Sequence, residues 1–122
     1  MLTRSTYILA FLVLLASHAS AENRSILSNA IAAVDANVVF MRHALAPGYG
    51  DPANFSLSDC DTQRNLDLEG RKQASYIGVA IKNSGFRFAQ VFSSEWCRCK
   101  ETSELMKVGQ WKTFSGLNSF FQ

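Results

Sequence analysis

Apolar positions fall into blocks along this chain, and the spacing within each block predicts an element. In residues 26–36, ILSNAIAAVDA, the residues Leu27, Ala30, Ile31 and Val34 recur at the interval of one helical face. A short amphipathic helix is expected there. Val38 to Met41 is a continuous apolar run of strand length, the pattern of a strand covered on both faces, and it stops at Arg42. From Ala44 to Asn65 the chain is rich in Pro, Gly, Asp, Asn and Ser, which predicts a long loop, and long structureless loops in compact domains are usually functional. Asp67 is a good N-cap for a helix through LEGRKQASYIGVAIKN, where Ala74, Ile77 and Ile81 share a face and Gly85 supplies the stop. Phe88 to Phe92 predicts a second buried strand ending in Ser93-Ser94, Glu95 to Lys107 a helix closed by Gly109, and Trp111 to Phe114 a third strand. Strand and helix in alternation predict an α/β fold: a three-layer sandwich around a mostly parallel sheet.

The first residues follow a different pattern. Arg4 precedes an apolar run from Tyr7 to Ala16, and Ala19-Ser20-Ala21 is a small-x-small cleavage site, so residues 1–21 read as a secretory signal peptide. The run falls well short of the roughly 20 residues that span a bilayer. The expected mature chain, residues 22–122, is one domain without repeat or linker, exported to the periplasm or secreted, with no membrane attachment after cleavage. The full sequence, at 48% apolar and 18% charged residues, has an ordinary globular composition. Loss of Arg4 takes the formal charge from +2 to +1, so no broad basic field points to nucleic acid. Anion binding must rest on local arginines.

In an open parallel sheet the ligand crevice lies at the carboxyl ends of the strands. Arg42 and His43 directly follow the first predicted strand, and Ser93, Ser94 and Arg98 follow the second. Two pieces of chain would thus deliver an imidazole and two guanidiniums to one rim. Guanidinium forks match phosphate oxygens, and a neutral imidazole nitrogen beside a phosphoryl group is a competent nucleophile. A lone Arg-His pair is more often structural than catalytic, and Arg98 alone would be read as part of a solvated helix face. Together with Ser94, Glu101 and Thr102 they stand at the spacing of a known family, and it is that resemblance that tips the reading toward chemistry.

These residues, with DCDTQRNLDLEGRKQA and FSSEWCRCKET, resemble the histidine phosphatase superfamily, also called phosphoglycerate mutase-like, over about Val38 to Phe121. The likeness is greatest to its exported bacterial branch, near the small phosphohistidine phosphatases. The resemblance implies that His43 forms a phosphohistidine intermediate, that Arg42 and Arg98 hold the phosphoryl group, and that Arg64 is a lesser candidate for the same pocket. It implies a phosphomonoester or a phosphohistidine-bearing protein as substrate, and neither metal nor cofactor. Ala44 stands where a Gly usually follows the family's Arg-His pair. Glu101 and Thr102 are expected to organise the helix and its arginine rather than to do chemistry.

The family closes its site with a second histidine on a later strand and often carries an acidic proton donor beyond the second arginine. Here His18 lies in the predicted signal segment, which leaves His43 alone. The chain therefore reads as the amino-terminal portion of a longer domain, weak or inactive as a phosphatase. The alternatives are a non-catalytic remnant that binds phosphate ligands and an interaction module packing Phe114, Phe120 and Phe121 on a partner.

Cys60, Cys97 and Cys99 leave one thiol over after any pairing. A C-x-C with one distant cysteine is poor zinc spacing. In an oxidising compartment a disulfide from Cys60 to either Cys97 or Cys99 is expected, tying the long loop to the helix that carries Arg98.

Overall fold

The structure, a computed structural model, describes residues 26–118. The predicted signal segment, Phe120 and Phe121 lie outside them. The described chain mixes helix and strand around a small parallel sheet, as the alternating pattern predicts at its coarsest level. Helix layers on both faces of that sheet are not seen among the described residues.

Helix α1, Ile26–Ala33, forms where the apolar spacing requires, but none of its residues is buried. It ends before its predicted limit, in a turn where Asp35 takes a φ of 49° and Ala36 N–H donates to the Ile31 carbonyl. Ser28 Oγ–H ties α1 to the Ser84 carbonyl at 3.3 Å.

The buried strand expected at Val38 to Met41 is not formed. These four side chains are 47–81% exposed, and the segment pairs with no other among the described residues. The cause is the lack of a neighbour: a strand is stabilised only where adjacent backbone takes its N–H and C=O groups. Among the described residues the sheet has two strands, β1 (Val91–Ser93) and β2 (Trp111–Thr113), paired in parallel with Val91 opposite Trp111. Strand β1 thus lies toward the carboxyl end of the predicted Phe88–Phe92 run, while β2 falls where expected. Phe114 N–H prolongs the ladder by donating to the Ser93 carbonyl.

Helix α2, Leu68–Asn83, starts at Asp67, whose carboxylate accepts from Gly70 N–H at 2.7 Å. It stops at Gly85, which has a φ of +73°. Its buried face is Gly70, Ala74, Gly78 and Ile81. Two of these are glycines because backbone passes there: a Cβ on Gly70 would lie 1.9 Å from the Leu45 carbonyl oxygen, and one on Gly78 would lie 2.0 Å from that of Met106. Helix α3, Cys97–Met106, crosses α2 at Gly78 and packs against both strands. It ends at Lys107 in the left-handed conformation, so this residue rather than Gly109 terminates the helix.

The core is small: Ala44, Ala46, Leu66, Ala74, Ile81 and Met106, flanked by Ile77, Phe88, Leu105 and Val108. A disulfide joins Cys60 to Cys97, and Cys99 is free. Positions two apart on a helix point about 200° apart, so only one of the pair can face the loop. Cys97 is buried there, while Cys99 is half-exposed. Cross-linking residues 37 apart stabilises by about 4 kcal/mol in the chain-entropy account, a large share for a core of this size.

Candidate functional site

The loop that follows His43 is held from two sides. Ala44 N–H donates to Thr102 Oγ1 on α3 at 3.0 Å, and Leu45 N–H donates to Gln73 Oε1 on α2 at 2.8 Å. Thr102 Oγ–H in turn donates to the Arg98 carbonyl at 2.7 Å. Thr102 therefore organises the helix as its position suggested, and it fixes the His43 loop as well. Glu101 pairs with Arg71 across α2 and α3 at 2.6 Å.

His43 is half-buried, and its Nδ1 lies 2.6 Å from its own neighbour's carbonyl, that of Ala44. A carbonyl only accepts, so Nδ1 carries the proton and Nε2 keeps a lone pair. The imidazole pKa is lowered from the usual 6.5, chiefly because burial disfavours the charged ring. The bond to Ala44 opposes this, while the positive charges of Arg98, Arg42 and Arg64 add to it. A neutral ring with a free nitrogen is the form that can attack an electrophile.

Arg42, His43, Ala44, Leu45, Ala46, Gly48, Arg64 and Gln73 line an open cleft of about 370 Å³. Arg42 and Arg64 thus share a cleft with His43. Among the described residues the Arg42 side chain makes no hydrogen bond or ion pair, and it is exposed. The Arg64 guanidinium is engaged: Nε donates to the Gly50 carbonyl at 2.8 Å and Nη1 to that of Ala46, clamping the loop beside the cleft.

Arg98 is not part of the lining. It is 6% exposed, its Nη1 forms an ion pair with Asp51 at 2.8 Å, and its guanidinium carbon lies 4.4 Å from the centroid of Trp96. Phe55 also packs against Trp96, with ring centroids 4.8 Å apart. The same Asp51 oxygen accepts from Arg64 N–H at 2.9 Å. One carboxylate oxygen thus joins the long loop to α3. Ser93 and Ser94 are buried, and Ser93 Oγ–H donates to the Ser94 carbonyl. Gln63, also buried, takes Cys97 N–H on its side-chain oxygen and donates to the Ser56 carbonyl.

Asp51, Gln63, Gln73 and Trp96 escaped the sequence reading. No periodicity marks a lone Asp after two glycines, or a Gln in a loop, as the partner of a helix far along the chain. Among the described residues no group of three or more His, Cys, Asp and Glu side chains is placed to hold a metal ion. No described helix is long and apolar enough to cross a membrane.

Neither a scan against protein-family models nor searches of curated proteins and of solved structures finds a match to this chain.

Proposed function

We propose that the chain carries a histidine-phosphatase-like site and belongs to the three-layer α/β architecture of that superfamily, exported after loss of residues 1–21. His43 Nε2 attacks the phosphorus of a phosphomonoester or a phosphohistidine, the bond to the leaving group breaks, and the leaving group takes a proton. Water then attacks the phosphohistidine, releasing inorganic phosphate and restoring the ring. The observation that carries this reading is the 2.6 Å contact of His43 Nδ1 with the Ala44 carbonyl, which leaves Nε2 as the unprotonated nitrogen of a residue that lines a cleft with two arginines. Arg42 and Arg64 hold the phosphoryl oxygens, and Arg98 joins them where a ligand draws it from Asp51.

Turnover is slow. Losing one preorganised donor from such a site costs about 10²–10³ in rate, and the arginines here are largely committed: Arg64 to carbonyls, Arg98 to Asp51. That commitment favours a second reading, in which the site binds phosphate ligands without turnover.

Purified mature protein assayed with p-nitrophenyl phosphate beside His43→Ala separates the two. Weak turnover lost in the variant supports the enzyme; no turnover, with phosphate shifting the His43 ring signals, supports binding alone. Turnover that survives His43→Ala removes the proposal. Titration of the ring by NMR should give a midpoint below 6.5, rising in Arg42→Gln. Because the folded value lies below the unfolded one, the unfolded chain takes up protons first, and stability is lost as pH falls from 6.5 towards the folded midpoint.

A further inference from the structure

At the far end of α2 from His43 lies a second cavity, of about 480 Å³, whose lining shares no residue with the first. The two ends are marked by Gly70, against the His43 loop, and Ile81, in the second cavity, eleven residues apart or about 16 Å along the helix axis. Its volume is that of a small-molecule site.

Three cations border this cavity, Lys82, Arg87 and Lys107, and no acidic residue does. All three are exposed, and among the described residues none forms an ion pair. Lysines near the ends of α2 and α3 would be expected simply to balance the helix dipoles. Two helix C-termini, however, supply only about half a negative charge each, so three cations leave an excess of about two positive charges. Arg87 lies on neither helix, and the dipoles do not account for it.

The apolar part of the lining is continuous with the core. Ile81 is buried, Phe88 and Val108 pack against the core cluster, and Phe86 meets Phe88 edge-on with ring centroids 4.9 Å apart. An apolar, partly aromatic wall beneath unpaired cations matches one ligand chemistry: a flat apolar body bearing two negative charges.

We propose that this cavity is a binding site for a small aromatic dianion, independent of the His43 cleft. The ring lies against Phe86 and Phe88, and the charged head meets Arg87 and Lys107, with Lys82 at the rim. The site stands whether or not the protein is a phosphatase, and a ligand here leaves His43 accessible.

The test is an amide NMR titration of the oxidised mature protein with naphthalene disulfonate, which stays dianionic and has no phosphoryl group for His43 to attack. Naphthol and inorganic sulfate serve as the uncharged and the ring-free controls. Saturable shifts are expected at Phe86 to Phe88 and Lys107 to Gly109, with both controls binding at least about tenfold more weakly. Exposed charge contacts are worth about two- to fivefold each, so Arg87→Ala with Lys107→Asn should weaken binding about tenfold. Asn suits the left-handed backbone at that position. The affinity of the unaltered protein should also fall with added salt, a readout that needs no variant. Shifts centred on Arg42 to Gly48, scattered non-saturable shifts, naphthol binding as well as the disulfonate, or an affinity indifferent to salt and to the double variant would each overturn the proposal.

Discussion

Replacing Gly70 with Ala sets two effects of opposite sign against each other. On helical propensity alone the substitution stabilises α2, by about 1 kcal/mol. Yet the new Cβ would lie 1.9 Å from the Leu45 carbonyl oxygen, whereas ordinary contact begins at 3.4 Å, so the loop or the helix must retreat by about 1.5 Å. The loop is held there by two hydrogen bonds, Ala44 to Thr102 and Leu45 to Gln73, each worth about 1 kcal/mol. Overpacking a tight contact adds about 1–3 kcal/mol. The clash therefore wins, with a net loss of about 2–4 kcal/mol. Urea unfolding followed by circular dichroism measures this. The His43 ring signals should move with it, because Ala44 both anchors the loop and accepts from Nδ1. A Gly70→Ala protein as stable as the parent, or more so, would show that the close approach of helix and loop is not real.

Two further outcomes follow from the cross-link and the ion pair. Cys60→Ser and Cys97→Ser should each lower stability by about 4 kcal/mol, Cys99→Ser should leave the unfolding midpoint unchanged, and peptide mapping of the oxidised parent should find one alkylatable thiol. Asp51→Asn strands the guanidinium of the buried Arg98; the expected loss is about 3–5 kcal/mol, read by thermal or urea unfolding, and a loss under about 1 kcal/mol would mean that Arg98 finds another partner.

What the sequence revealed and what it hid divide along the range of the interactions. Asp67 caps its helix through a residue three positions on, so the start of α2 could be read from the Asp itself. The helix of α3 and strand β2 were legible in the same way, from local spacing. Val38 to Met41 has strand composition, yet composition cannot supply a neighbouring strand, and those residues stand exposed. The Cys60 pairing was narrowed to two partners, and only the facing of α3 chooses Cys97. His43, Arg42 and Arg64 line one cleft; the first two were expected together because they are adjacent after one predicted strand, and Arg64 only through the family resemblance. Arg98 was expected at the same rim. Its engagement by Asp51 joins residues 47 positions apart, and nothing in either local sequence announces it.

That same separation bears on the order in which the molecule is assembled. The contacts that hold the long loop on α3 reach far along the chain: Ala44 to Thr102 spans 58 positions and Asp51 to Arg98 spans 47. Such contacts form late, after the entropy of closing a long loop has been met. The bond from Cys60 to Cys97 changes that path. Once it has formed, Asp51 and Arg98 are separated by about ten residues of chain through the bridge, which lowers the closure cost by about 1.4 kcal/mol. Oxidation thereby favours docking of the Asp51 loop on α3 by about tenfold, so a reduced chain is expected to bring Asp51 to Arg98 more slowly than an oxidised one.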